Sequence, residues 1–101
     1  MTMFDEARAI LEMLRICNGT QRSLAERIGV SQSYIANKLR LLSFTKGEEA
    51  EILAAGLSER HARALLRLSG EDRMWALRHT VKKNLTVRQC EDLVNKIYLN
   101  S

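Results

Sequence analysis

The sequence predicts an all-α protein, a compact bundle of six to seven helices that contains a helix-turn-helix. Three observations favour this class. The 101-residue chain has no proline and few runs of β-branched residues, and these residues break helices or favour strands. Apolar residues recur at helical spacing along most of the chain. Hydrophobic content of 46% with 28% charged residues is typical of a soluble globular protein. We expect one domain over 1–101, with a C-terminal helical subdomain over about 46–98.

The first helix is predicted over about 3–16, ending near the Asn18-Gly19 pair. Both residues tolerate the left-handed backbone that commonly closes a helix. The apolar side chains of this segment form one stripe at helical spacing, made of Phe4, Ala7, Ile10, Leu11 and Leu14.

A helix-turn-helix is predicted over about 20–42. Leu24, Ala25 and Ile28 fall on one face of a short helix, and Gly29 then supplies a sharp turn that a Cβ would resist. Ala25 is small where the two helices of such a motif cross closely. The alternative interpretation is an ordinary helical hairpin with a solvated basic face.

The second helix of the motif begins after Ser31, which is suited to cap it. Apolar residues recur at helical spacing and face the first helix: Ile35, Leu39 and Leu42. The opposite face carries no acid and is made of Ser33, Asn37 and Arg40. Between Ser31 and Lys46 every charge is positive, which suits a helix between two phosphate backbones.

Four further helices follow. The first, over about 46–55, ends at Gly56. Ser58 caps the next, whose buried side is Ala62, Leu65, Leu66 and Leu68. Ser69 precedes another, with Met74, Trp75, Leu77 and Val81 expected in the core. Thr86 and Gln89 have the spacing of a capping box for the last helix, which buries Cys90, Leu93, Val94 and Ile97 and frays from residue 98.

Charge is segregated along the chain. The net charge is +4, and basic zones over 20–46 and 60–101 flank a segment, 47–59, that has four glutamates and no basic residue. Such segregation favours a directed electrostatic footprint, as in nucleic-acid binding. Chance clustering in a small chain is the alternative.

Other function classes find less support. No apolar stretch approaches the roughly 20 residues of a membrane span, and the N-terminus lacks the basic-then-apolar order of a signal peptide, so we expect a cytoplasmic protein without a membrane segment. Cys17 and Cys90 lack a close pair or histidines at ligand spacing, and we interpret both as buried thiols rather than a metal site or disulfide. No catalytic constellation surrounds His61, which is more typical of a packed or hydrogen-bonded histidine.

Three ordered motifs support a family resemblance. They are SQSYIANKLRLL at 31–42, ERHARALLRL sixteen residues later, and LTVRQCEDLV at 85–94. Together they resemble the central DNA-binding domain of the ParB family of chromosome-partition and nucleoid-occlusion proteins, over about 5–97. The resemblance implies a recognition helix in the major groove of an inverted-repeat double-stranded site, a second copy on the other half-site, and a nucleoid-associated protein.

The resemblance also bears on enzymatic activity. Family members carry an N-terminal nucleotide-binding domain and a C-terminal dimerisation domain, and CTP binding and hydrolysis belong to the former. Neither domain has a counterpart in these residues, so we expect no enzyme activity, no catalytic residue, no metal and no cofactor in this chain.

The resemblance implies that the DNA site a family member prefers follows from one of two sets of residues in and just after the recognition helix. Gln32, Lys38 and Arg60 resemble the nucleoid-occlusion set, whereas partition proteins tend to have arginine, threonine and glycine there. Ser43 departs from that set, which usually has lysine, and Phe44-Thr45 replaces a frequent Leu-Pro. Partition therefore stays an alternative. Lys38 and Arg60 suit guanine acceptors and phosphate equally.

Additional polar residues complete the predicted DNA surface. Thr20 and Gln21 begin a helix and suit a phosphate, or serve as a simple cap. The basic residues Arg22, Arg27, Arg40 and Lys46 are phosphate partners or plain surface charge. The resemblance places His61 and Arg63 near DNA. The predicted DNA-binding set is Thr20, Gln21, Arg22, Ser31, Gln32, Ser33, Asn37, Lys38, Arg40, Arg60, His61 and Arg63. A protein-interaction module, docking through the acidic helix or the 86–97 stripe, is the rival hypothesis.

Overall fold

The computed structural model describes residues 1–100, and these residues form seven α-helices and no strand. The helices are α1 (Met3–Cys17), α2 (Gln21–Ile28), α3 (Gln32–Arg40), α4 (Lys46–Ala54), α5 (Glu59–Leu65), α6 (Gly70–Lys82) and α7 (Val87–Leu99), with a 3₁₀ turn at Leu41–Ser43 between α3 and α4. The predicted all-α class is confirmed.

The chain divides into two compact units, of which the first is Met1–Ser43 and the second begins at Phe44. This division lies close to the start expected for the C-terminal subdomain. That the whole chain is a single domain stays a prediction.

Hydroxyl side chains fix the helix starts. Six of the seven helices begin after a serine or threonine whose Oγ accepts a hydrogen bond from a backbone N–H of the first turn, namely Thr2, Thr20, Ser31, Thr45, Ser58 and Thr86. Each such cap contributes about 1 kcal/mol. The predicted caps Ser31, Ser58 and Thr86 are confirmed, whereas Ser69 precedes α6 without making a side-chain hydrogen bond.

Left-handed residues end four of the helices, three of them at positions that the sequence predicts and the fourth at Asn84 after α6, with φ 51°. Asn18 closes α1 with φ 48°, Gly29 closes α2 with φ 76°, and Gly56 follows α4 with φ 67°. These positions favour Asn and Gly because a Cβ strains the left-handed backbone.

The first unit is built around one apolar cluster. Ile10 of α1 packs with Leu24, Ala25 and Ile35, so α1, α2 and α3 share a core. Leu11, expected in the core, is 41% exposed, because α1 turns Ile10 rather than Leu11 toward α2 and α3.

Two further apolar positions of this unit differ from expectation. Ile28 is 42% exposed at the end of α2. After α3 the backbone tightens into the 3₁₀ turn, where each residue rotates by about 120° rather than 100°. Leu41 is consequently the fully buried residue, while Leu39 and Leu42, which were expected there, are partly buried.

The second unit buries Ile52 of α4, Leu65 of α5, Leu77 of α6 and Val94 of α7 completely. Cys90 is also fully buried, as predicted, and burial raises the pKa of its thiol. Cys17, in contrast, is exposed, which corrects the expectation of two buried thiols.

Helix α6 corrects the expected position of its tryptophan. Its buried face consists of Ala76, Leu77 and Thr80. At 100° per residue, Trp75 falls on the opposite side and Val81 at the margin, and they are 54% and 40% exposed. Thr80 is tolerated in the core because its hydroxyl donates to the sulfur of Cys90 at 3.5 Å.

Candidate nucleic-acid interface

The helix-turn-helix predicted from the sequence is formed by α2, a tight turn and α3. The turn is closed by the amides of Gly29 and Val30, which both donate to the carbonyl of Ala25 at 3.0 Å. Ala25 is 3% exposed and Ile35 is completely buried, so the small residue lies where the two helices approach each other. This packing leaves the other side of α3 for recognition.

The outward side of α3 is polar and free of acids. Gln32, Ser33 and Arg40 are exposed, and Asn37 is half-buried. No acidic residue lies in the first turn of α2 or of α3, and the dipole at each of these helix starts attracts anions. Tyr34 is 40% exposed on the same helix. Tyr34 was not in the predicted DNA-binding set, although its position three residues after the N-cap Ser31 could have marked it.

The two N-cap hydroxyls are engaged within the chain. Thr20 Oγ1 accepts the amide of Ser23 at 3.1 Å, and Ser31 Oγ accepts the amide of Tyr34 at 3.0 Å. Both residues are therefore helix caps. Their hydroxyl oxygens already accept a backbone amide, so a contact with a phosphate would use the hydroxyl hydrogen or the backbone N–H as donor. Gln21, the first residue of α2, is half-buried.

The position of Lys38 differs from the outward orientation that its proposed role requires. It is 5% exposed, and its Nζ lies 3.2 Å from Glu6 Oε1. The ammonium therefore bonds to α1 instead of projecting from α3. A buried ammonium needs such a partner, because desolvation of an unpaired charge is costly.

The predicted arginines differ in their intramolecular partners. Arg22 lies 3.6 Å from Glu26, and both side chains are largely exposed. Arg60 lies 3.6 Å from Glu91, with 65% of its own side chain exposed. Exposed pairs of this kind contribute about 0–1 kcal/mol, so both arginines stay accessible to another anion. Within residues 1–100, Arg40 makes no ion pair.

His61 uses both ring nitrogens in local structure. Its Nδ1 lies 3.2 Å from the Ser58 amide and 2.8 Å from the Ser58 hydroxyl, while Nε2 lies 2.9 Å from the carbonyl oxygen of Leu85. These partners fit the tautomer in which Nε2–H donates to the carbonyl and Nδ1 accepts from the amide. A hydrogen-bonded structural histidine thus fits this geometry better than a phosphate contact.

Arg63 has an unusual donor. Its Nε is buried and makes no hydrogen bond within residues 1–100. A buried donor without a partner is costly, but this atom has no accessible surface at which an external phosphate could bind.

The sequence matches a known domain family over nearly its whole length. The model of the ParB HTH domain matches residues 1–98. The chain belongs to the ParB family of helix-turn-helix domains. The resemblance drawn from the three sequence motifs is thereby confirmed.

Named relatives of this ParB-family domain are nucleoid-occlusion proteins. The chain is 42% identical over 98 residues to the nucleoid occlusion protein of Oceanobacillus iheyensis, and 40% identical to that of Bacillus thuringiensis. Each alignment covers 96% of this chain and 34% of the relative, so the chain spans about a third of the length of these curated relatives.

Solved structures share the fold of the ParB-family domain. One is the C-terminally truncated chromosome-partitioning protein ParB from Caulobacter crescentus complexed to the centromeric parS site, with TM-score 0.80 and 27% identity over 95% of this chain and 48% of that one. Another is the DNA-binding domain of a chromosome-partitioning ParB complexed to parS, with TM-score 0.81 and 30% identity over 95% and 78% of the two chains.

Membrane-spanning helices and metal-ion sites are both absent from the described part of the ParB-family domain. Among residues 1–100, no helix is long and apolar enough to cross a membrane, and no group of histidine, cysteine and acidic residues is arranged to hold a metal ion.

Proposed function

We propose that this chain binds a palindromic double-stranded DNA site sequence-specifically, with α3 in the major groove and one copy on each half-site. The observation that carries the proposal is the α2–Gly29–α3 geometry, which leaves an exposed, polar and acid-free side of α3. A ParB-family domain with this surface has the shape and charge that a recognition helix needs between two phosphate backbones.

Gln32 and Arg60 are the proposed base-reading residues. Gln32 is exposed at the first position of α3, where its amide both donates and accepts and so matches the major-groove edge of a base pair. The Arg60 guanidinium donates to guanine acceptors after leaving an exposed pair of low stability. Ser33 and Asn37 add shorter polar groups on the side of α3 that faces away from the buried Ile35.

The proposed phosphate contacts lie at helix starts and at exposed cations. The N-terminus of α2, with Thr20 and Gln21, offers backbone donors and a favourable dipole. The guanidinium groups of Arg22, Arg40 and Arg63 supply charge.

Nucleoid occlusion is the favoured biological setting. The nucleoid-occlusion relatives named above are 40–42% identical to the chain, whereas the parS-bound partition structures are 27–30% identical. Gln32 and Arg60 also agree with the nucleoid-occlusion residue set. Partition through a parS site is the second candidate, because the solved structures with this fold are complexed to parS.

We also propose that this domain does not itself hydrolyse CTP. The resemblance assigns that activity to a domain outside the motifs of this chain. The isolated chain incubated with CTP, with and without duplex DNA, tests the proposal through release of inorganic phosphate, and DNA-stimulated release above a protein-free control would contradict it.

The DNA-binding proposal is tested by fluorescence anisotropy at fixed, stated salt. Three duplexes of equal length carry a parS site, the site of a nucleoid-occlusion protein, and a scrambled sequence. We expect the unmodified chain to prefer the nucleoid-occlusion site. The double variant Gln32→Arg with Arg60→Gly should move preference toward parS, since each lost base contact costs about 1–3 kcal/mol.

Arg78→Gly is the matched control for the arginine. Its side chain is 68% exposed and lies 3.8 Å from Glu51, which closely resembles the surroundings of Arg60. The control should leave the ranking of the three sites unchanged. Equal affinity of the unmodified chain for all three duplexes would contradict sequence-specific binding and favour a protein-interaction module.

A further inference from the structure

A polar contact joins α1 to the recognition helix. Lys38 has 7% of its side chain exposed, and its Nζ lies 3.2 Å from Oε1 of Glu6, whose side chain is 43% exposed. The same Nζ lies 5.6 Å from the ring centroid of Tyr34, one turn earlier on α3. The ammonium therefore contacts the Glu6 carboxylate on α1 and the Tyr34 ring on its own helix, α3.

This contact constrains the rotation of α3. The helix has nine residues. Rotation of the helix by 100° about its axis would point each side chain in the direction that the adjacent residue in the sequence now occupies. The apolar contacts of Ile35 with α1 and α2 are non-directional. The Lys38–Glu6 hydrogen bond joins residues that are 32 positions apart and is directional, because donor and acceptor must align.

We propose that Glu6 is a positioning residue for DNA recognition. By holding the Lys38 ammonium against α1, it fixes the rotation of α3 and the place of the Tyr34 ring. Lys38 thus contributes to site selection without contacting a base edge. This inference rests on the proposed function, which it deepens by assigning an indirect role to Lys38 and a role to an acidic residue outside the helix-turn-helix.

The test compares Glu6→Gln with Glu12→Gln. Both variants remove one negative charge from α1, and Glu12 pairs with the exposed Arg15 at 3.4 Å. Their affinities for a scrambled duplex should therefore change equally. The specificity ratio, which is the affinity for a palindrome selected from a randomised inverted-repeat library divided by that for the scrambled duplex, should fall about fivefold or more in Glu6→Gln alone.

A double-mutant cycle with Lys38→Met separates positioning from direct contact. If Lys38 acts through Glu6, the double variant Glu6→Gln with Lys38→Met should have the same specificity ratio as Lys38→Met alone. Helicity and Tm are measured for each variant. Should Lys38→Met fail to fold, the comparison of Glu6→Gln with Glu12→Gln decides the matter by itself, since both replace solvent-accessible carboxyl groups.

Three results would overturn the inference. Equal specificity ratios in Glu6→Gln and Glu12→Gln would show that the ion pair does not affect recognition. A higher ratio in Glu6→Gln would show that the released Lys38 binds DNA directly. A specificity ratio of one in the unmodified chain would contradict both the proposed function and this inference. The first two results would contradict this inference alone.

Discussion

The second unit contains a buried ion pair between Glu48 and Arg73, and we expect loss of either partner to destabilise the unit strongly. Arg73 Nε and Nη2 donate to the two carboxylate oxygens of Glu48 at 2.8 and 2.9 Å. The side chains are only 3% and 13% exposed for Glu48 and Arg73. Oε1 of Glu48 also accepts the backbone amide of Thr45 at 2.9 Å, and the guanidinium lies 5.1 Å from the ring centroid of Phe44. The carboxylate thus joins the start of α4 to α6.

Replacing Glu48 by glutamine should therefore lower the free energy of unfolding by about 3–5 kcal/mol. The amide keeps the size of the side chain and can still accept from Thr45, but it leaves the Arg73 guanidinium buried without a counter-charge. Whole domains are stable by only about 5–15 kcal/mol, so the loss is a large fraction of the total. Urea unfolding followed by far-UV circular dichroism measures it.

Glu51→Gln is the control, because it removes an equal charge from the same helix. Glu51 pairs with Arg78 at 3.8 Å, and these side chains are 41% and 68% exposed. Its loss should cost less than about 1 kcal/mol. Equal destabilisation by the two variants would refute the argument that burial makes the Glu48 pair strong.

The same pair predicts an acid dependence of stability. Burial raises the pKa of Glu48, but the hydrogen bonds from Arg73 and from the Thr45 amide outweigh burial, and the net effect lowers the pKa below its usual value of 4.5. A carboxyl group whose pKa is lower in the folded state stabilises the fold fully above the unfolded pKa and loses this contribution as pH falls through the folded pKa. The unmodified chain should thus lose more stability below about pH 4.5 than Glu48→Gln does, and parallel losses would refute the linkage.

Three further predictions concern the turn, the phosphate contacts and the thiols. Gly29→Ala should cost about 1–2 kcal/mol in urea unfolding, because the residue has φ 76° and a Cβ there meets no atom within 4 Å that could add a steric term. Gly47→Ala, which places a Cβ in ordinary contact within α4, should instead stabilise by roughly 0.5 kcal/mol. Arg40→Ala should weaken specific and scrambled duplexes by similar factors and reduce the salt slope by about one, and a loss confined to one site would contradict its phosphate role. Native Cys17 should react rapidly with a thiol reagent while Cys90 reacts only on unfolding, and equal rates would show that Cys90 is accessible.

Local chemistry explains why the elements of this fold could be predicted from the sequence. Six of the seven helix starts depend on one hydroxyl and a residue three positions later, and the stops at Asn18, Gly29 and Gly56 depend on a single backbone angle. Such signals lie within four residues of each other, so a sequence pattern contains them. The spacing of Leu24, Ala25, Gly29, Ser31 and Ile35 likewise predicted the helix-turn-helix that α2 and α3 form.

The environments of several residues depend on distant parts of the chain, and no local sequence pattern could show them. Trp75 was placed in the core from its apolar neighbours, but the packed side of α6 is set by α4, α5 and α7, and the ring stacks on His79 instead. The partner of Lys38 lies 32 positions away and that of the His61 Nε2 lies 24 positions away. No pattern within one helix specifies contacts of that range.

The intramolecular partners also rank the predicted DNA contacts by the free energy needed to engage them. Arg40 breaks no ion pair, and Arg22 and Arg60 each break an exposed pair that contributes about 0–1 kcal/mol. Releasing Lys38 would instead require a side chain that is 7% exposed to leave the Glu6 carboxylate and move outward, and moving a desolvated ammonium away from its counter-charge is costly. The Arg60 side chain is already 65% exposed and needs no such movement. The energetics therefore favour Arg60 over Lys38 as the cation that reads a base, and they leave Lys38 as the residue that orients the helix.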